Sequence, residues 1–150
     1  MSQKTISIWA IEEELIMSKK IIAGIEIVVA VIMWLVVTKI SPVCGGMLEL
    51  ASGKQVHMKC YYTAVVFVFI AVALLINGIL SLFVKASVAS GIMTVILAVL
   101  VFATLNDSVG IGICANPEMA CQMTAPIVKV CAAVEVLCGT IYAVFASKEK

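Results

Sequence analysis

The sequence predicts an all-α integral membrane protein, a four-helix bundle built from two tandem hairpin repeats with a pseudo-twofold axis along the membrane normal. Three observations lead there. Of 150 residues, 63% are hydrophobic and 13% charged, with a mean hydropathy of +1.19; so few charges cannot cover a water-facing surface. Four apolar stretches run Ile21 to Ile40, Tyr61 to Val84, Val88 to Asn106 and Ile127 to Ala146, each close to the roughly 20 residues that cross a bilayer as a helix. Finally, Met58-Lys59-Cys60-Tyr61-Tyr62-Thr63-Ala64 returns as Met119-Ala120-Cys121-Gln122-Met123-Thr124-Ala125, with Met, Cys, Thr and Ala at matching places.

The chain divides into a lead-in, residues 1–20, and a transmembrane domain, residues 21–150, with repeat one over 21–84 and repeat two over 88–146. Continuous apolar runs without period-two alternation favour helices over a membrane barrel. The lead-in is not a cleavable signal peptide, because three glutamates precede the apolar core and no small-residue cleavage site follows. It reads as a partly ordered cytoplasmic segment or a poorly patterned interfacial helix. Loop one, residues 41–60, opens on Ser41-Pro42 and Gly45-Gly46 and turns again at Ser52-Gly53. Loop two, residues 107–126, is loosened by Gly110 and Gly112 and turns at Asn116-Pro117, and Pro126 suits the first turn of span four.

Lysines set the orientation. Lys4, Lys19, Lys20, Lys85, Lys148 and Lys150 fall on one side, and Lys39, Lys54, Lys59 and Lys129 on the other. The positive-inside rule then places both termini in the cytoplasm and the cysteine loops outside, across a cytoplasmic membrane. Membrane lipid is the expected surrounding. The net charge of +1, without a basic patch interleaved with aromatics, excludes a nucleic-acid partner. No phosphate-cradling Gly-x-x-x-x-Gly-Lys and no Ser-His-Asp set is present.

Six cysteines form two groups: Cys44, Cys60, Cys114 and Cys121 in the loops, and Cys131 and Cys138 within span four. An even number on the outer side suggests structural disulfides. Three pairings are open, and the one that keeps each bridge within its repeat is Cys44–Cys60 with Cys114–Cys121. A redox centre is the alternative, with the same four cysteines passing electrons by thiolate exchange to a quinone. In outline the chain resembles the quinone-linked disulfide-generating membrane enzymes, although it lacks their Cys-x-x-Cys. A second alternative is a soft-metal site, with His57, Met58, Cys60, Met119 and Cys121 holding Cu(I); Met47 and Met123 lie nearby in sequence. No cofactor is otherwise expected.

Within the spans, Glu26, Asn77, Cys131, Glu135 and Cys138 are the polar or reactive positions. Cys131, Glu135 and Cys138, four and three apart, share a helix face. Such groups pair between helices or mark a proton path. Glu26, close after Lys20, is expected to reach the inner interface. Gly24, Ala132, Ala133 and Gly139 are small residues that permit close helix approach.

The Pro42-Val43-Cys44, Met58-to-Ala64 and Ile113-Cys114-Ala115-Asn116-Pro117-Glu118-Met119-Ala120-Cys121 segments resemble an uncharacterised family of small four-helix bacterial membrane proteins, known as a domain of unknown function. The resemblance covers about Ile21 to Ala146 and carries no established activity. It implies a neighbourhood of ABC-type permeases. The function expected on these grounds is a non-enzymatic accessory or assembly subunit of a membrane complex, such as an ABC-type permease, with loop disulfides.

Overall fold

The computed structural model describes residues 3–40, 47–49, 52–84, 87–114 and 118–148, with the backbone alone given for 3–16 and 48. It is all-helical apart from one short ribbon. Helix α1 spans Gln3–Leu35, α2 Lys59–Phe83, α3 Val88–Leu105 and α4 Ala120–Ser147. All four are long and apolar enough to cross a membrane, the first over Met17–Ile40. The chain is a multi-pass membrane protein. Large apolar side chains point outward from every helix, among them Ile21, Phe69, Ile96 and Leu137. In water that surface would be costly; in lipid it is the ordinary solvent-facing side.

The helices form a ring. α1 packs against α2 and α4, and α3 packs against α2 and α4. The core between them is apolar, with Met33 from α1, Leu74 from α2, Val101 from α3 and Val128 from α4 almost fully buried. Small residues set how close the helices come. A Cβ at Gly78 would stand 2.9 Å from Ile27 on α1, and a Cβ at Gly139 would stand 2.9 Å from the Gly91 carbonyl on α3. Gly78 and Gly139, each 18 residues beyond a motif cysteine, therefore each seat the second helix of a hairpin on the first. Gly24 does not do this, since a Cβ there would meet nothing within 4 Å.

Several boundaries differ from expectation. The lead-in is helical and continuous with the first span from Gln3. Span one then widens into a π-helical turn, Val36–Ile40. Beside it the Thr38 hydroxyl donates to the Trp34 carbonyl at 2.7 Å, a local side-chain bond that competes with the helix ladder. Loop one is not wholly irregular: β1 (Met47–Glu49) pairs antiparallel with β2 (Gln55–His57), and Gly53, at φ +74°, turns the ribbon. Helices α2 and α4 start earlier than the apolar runs suggest, at Lys59 and Ala120. Cys60 and Cys121 thus sit in first helical turns. Pro126 lies well inside α4, where it has no amide to offer the Gln122 carbonyl.

Candidate functional site

The two Met-x-Cys segments begin α2 and α4 in the same way. Met58 (φ −64°, ψ 157°) and Met119 (φ −81°, ψ 143°) are extended caps with no side-chain bond. Each cap carbonyl accepts from the amide three residues on, Tyr61 at 3.0 Å and Gln122 at 2.9 Å. An extended residue followed at once by helix puts the second side chain after it, a cysteine in both cases, in the first helical turn at the rim of the bundle. Cys60 and Cys121 are 0% and 2% exposed. Cys60, Thr63, Cys121, Thr124 and Ala125 line one tight space with Phe67, Leu105 and Ile113.

Loop two delivers a third sulfur. Gly112, at φ +72°, makes the reversal. Its amide donates to the Thr104 carbonyl at 3.0 Å, and its carbonyl accepts from the buried Thr63 hydroxyl at 2.7 Å. A side chain at Gly112 would collide with Asp107, and one at Gly110 with the Ala103 carbonyl. Two glycines and the motif threonine thus lay Ile113 and Cys114 across the top of α2. The Gln122 side-chain amide, on α4, donates to the Cys114 carbonyl at 2.6 Å and holds the strand from the other side.

The result is a disulfide between Cys60 and Cys114, with a Cα–Cα separation of 6.4 Å. Cys121 remains a buried free thiol. The three sulfurs all lie within 4.8 Å of one another. This corrects the expected pairing: Cys60 bonds to the loop cysteine of the other repeat, so neither Cys44–Cys60 nor Cys114–Cys121 is formed. The reason is geometric. The Thr63–Gly112 bond carries loop two over α2, so that Cys114 reaches Cys60 before Cys121. Cys44, with Pro42 and the Gly45-Gly46 breaker, lies outside the described residues, as does the Asn116-Pro117 turn.

Of the soft-metal set, Cys60 and Cys121 come together, joined by Cys114. His57 stands outside the three-cysteine group and stacks on Tyr61, ring centroids 4.3 Å apart. Met123 is 72% exposed and Met47 55% exposed. Met58 and Met119 are half-buried caps.

A second polar centre lies further down the bundle, in a place the sequence only half revealed. Glu26 does not reach the interface; it is 3% exposed. One of its oxygens accepts from the Asn77 amide at 3.0 Å and the Thr94 hydroxyl at 2.8 Å. Asn77 also receives the Ser90 hydroxyl at 3.1 Å, and Ser90 and Ser81 share a 2.6 Å contact. Glu135 is 1% exposed, and neither of its oxygens has a hydrogen-bond partner among the described residues. Cys131 and Cys138, on the same helix, are free thiols. Ser81, Ser90 and Thr94 were not singled out by the sequence, because hydroxyl residues in apolar helices usually bond their own backbone and leave no pattern.

The model of one protein family, described as a domain of unknown function (DUF4418), matches residues 26–146. The chain belongs to that family. The matched region takes in α1 from Glu26 onward, nearly all of the other three helices, the sulfur cluster and both buried glutamates of this DUF4418 protein. No curated protein and no solved structure matches it.

Proposed function

We propose that the DUF4418 chain is a membrane thiol–disulfide exchange protein, with Cys60, Cys114 and Cys121 as its reacting residues. The observation that carries this reading is a buried free thiol within 4.8 Å of both sulfurs of a disulfide. A bridge that only braces the fold needs no third sulfur beside it. Thiolate exchange needs one.

The chemistry balances within the cluster. The Cys121 thiolate attacks the Cys60 sulfur and forms a Cys60–Cys121 bond. The electron pair of the broken bond leaves on Cys114, which then takes up a proton. One disulfide and one thiol exist before and after. Cys114 is half-buried while Cys60 and Cys121 are covered, so the exchange moves the bridge between a reachable and a sheltered position. With the bridge at Cys60–Cys114, an incoming thiolate attacks Cys114 and Cys60 leaves. A second substrate thiol then displaces Cys114, and the substrate departs as a disulfide while its two electrons stay on the Cys60 and Cys114 pair.

Brief exposure of the detergent-solubilised protein to mixed reduced and oxidised glutathione tests this, followed by acid quenching and disulfide mapping of non-reduced peptides. Wild type is expected to yield both Cys60–Cys114 and Cys60–Cys121 peptides, and Cys114→Ser only the second. Cys121→Ser is expected to yield only the first. A single inert Cys60–Cys114 bridge under all these conditions overturns the reading and leaves a structural disulfide.

The same geometry favours one second reading. Once reduced, three thiolates this close form a soft set suited to Cu(I). Stoichiometric Cu(I) retention by the reduced protein, lost in Cys121→Ser, would place metal binding ahead of exchange. An accessory role beside an ABC-type permease draws only on the apolar outer surface, a surface common to membrane proteins of this size. The sulfur cluster is the more specific feature.

A further inference from the structure

The buried polar centre is a separate place in the molecule. Asn77 lies 17 residues along α2 from Cys60, and Glu135 lies 14 residues along α4 from Cys121. At about 1.5 Å per residue these are distances of roughly 20–25 Å. Nothing in the sulfur chemistry uses it.

All four helices contribute. α1 brings Glu26, α2 brings Asn77 and Ser81, α3 brings Ser90 and Thr94, and α4 brings Glu135. Glu135 is directed into the group. Its i+4 neighbour on α4, Gly139, would place a Cβ 3.0 Å from the Thr94 Cβ, and the Glu26 and Glu135 carboxyl groups lie within electrostatic reach of each other. Two carboxylates in a membrane interior cost several kcal/mol each unless something balances them. Glu26 has two donors. Glu135 has none among the described residues, although its side chain is covered.

What balances Glu135 can be chosen by counting oxygens. A hard metal ion wants about six oxygen ligands. Here the Asn77 amide and the Ser81, Ser90 and Thr94 hydroxyls are already engaged with one another, with Glu26 or with backbone carbonyls. Glu135 is the carboxyl whose two oxygens are both buried without a hydrogen-bond partner among the described residues. One carboxyl is too little for a metal ion and sufficient for a proton. We propose that Glu135 is an intramembrane proton-binding site, a carboxyl that takes up and releases a proton in the bundle core opposite the hydrogen-bonded Glu26.

Other titratable groups stand around it. On α4 they are Cys131 and Cys138, both within electrostatic reach, and the buried Tyr142 two turns on. From α1 come Glu26 and, two turns before it, the buried Lys19. α2 and α3 face the group with amide and hydroxyls only. Lys19 and Tyr142 have partners of their own. They lie on the way from Glu135 to the end of the bundle remote from the cysteines, where a proton would enter.

Infrared difference spectroscopy of the reconstituted protein tests the site. A protonated carboxyl band is expected in wild type. It should shift in heavy water, vanish as pH is raised, and be missing from Glu135→Gln while Glu26→Gln retains it. Peptide mapping after treatment with dicyclohexylcarbodiimide, which reacts with protonated carboxyls in apolar surroundings, serves as a second readout that needs no variant. The adduct is expected on Glu135, diminished at high pH and indifferent to added Na⁺ or Ca²⁺. Protection by either cation at constant pH would make this a metal site and overturn the proposal. So would a band unaffected by heavy water, or one that survives Glu135→Gln. Disulfide exchange is read separately, so either proposal can fail alone.

Discussion

Thr63 and Thr94 show how much rests on single hydroxyls here. Thr63 is part of the repeated motif, yet its task was not legible. Its acceptor, the Gly112 carbonyl, is 49 residues away, and no local pattern encodes a contact at that range. The motif cysteines were legible as reactive positions, but their bonding was not, because pairing depends on that same long-range contact. Asn77 could be read as an interhelical hydrogen-bonding residue, since an amide in an apolar span needs a partner. That its acceptors would include Glu26 and Thr94 could not. Thr94 is the clearest test of this network. It is 1% exposed, receives the Asn77 amide at 2.9 Å and donates to Glu26. Thr94→Val keeps the shape and removes the hydroxyl. Each interhelical hydrogen bond in a membrane protein is worth about 0.6 kcal/mol on average. The variant should therefore be destabilised by about 1 kcal/mol, seen as a lower midpoint in detergent-induced unfolding. A midpoint equal to wild type would mean the network contributes nothing to the fold.

At the scale of the helix, the apolar runs gave four elements of the right kind, placed α3 and the far ends of α2 and α4 to within a residue, and set the starts of α1, α2 and α4 too late. Hydropathy reports where lipid lies, while helix starts are set by backbone geometry. α2 and α4 begin at Lys59 and Ala120 because Met58 and Met119 are extended caps, and a cap without a side-chain bond has no sequence signature. The lysine and alanine that begin the helices are not apolar enough to mark them. Glycine spacing was more informative, though only in part. Gly139 was expected to allow close approach and does so against Gly91, whereas Gly24, read in the same way, faces open space. The two cases predict opposite mutational outcomes. A Cβ at Gly91 would lie 2.7 Å from the Gly139 carbonyl and 2.8 Å from the Ala143 amide, backbone atoms that cannot turn aside. Gly91→Ala should separate α3 from α4 and cost about 1–3 kcal/mol, the range for overpacking. Gly24→Ala should be neutral or stabilising by up to about 1 kcal/mol, since it meets nothing and gains helix propensity. Thermal unfolding of the two variants side by side decides it, and equal effects would contradict the packing described.

Over the whole molecule, the two ends of the bundle are closed by different chemistry across its diagonals. At one end Cys114 ties loop two to Cys60 on α2 while lying beside Cys121 on α4. Further down, Glu26 on α1 reaches Thr94 on α3. Ring packing alone would leave both diagonals slack, because opposite helices touch little. The disulfide closes a sequence separation of 54 residues and joins the hairpins covalently, which a bridge kept within each repeat would not do. For which end faces which compartment we propose the orientation that the lysine asymmetry favours. Were the termini cytoplasmic, the cysteine cluster would meet the oxidising side, where a disulfide persists, and the buried Glu135 would lie nearer the cytoplasmic end. Labelling of intact cells with a membrane-impermeant maleimide, followed by peptide mapping, tests this in a background that keeps the native cysteines. Lys54→Cys, in the exposed turn between β1 and β2, should label without lysis. Lys148→Cys, beyond the end of α4, should label only after it. The reverse pattern would put the sulfur cluster in a reducing compartment. There the thermodynamics of exchange would favour three free thiols over a bridge, and Cu(I) binding would become the better reading of the same residues.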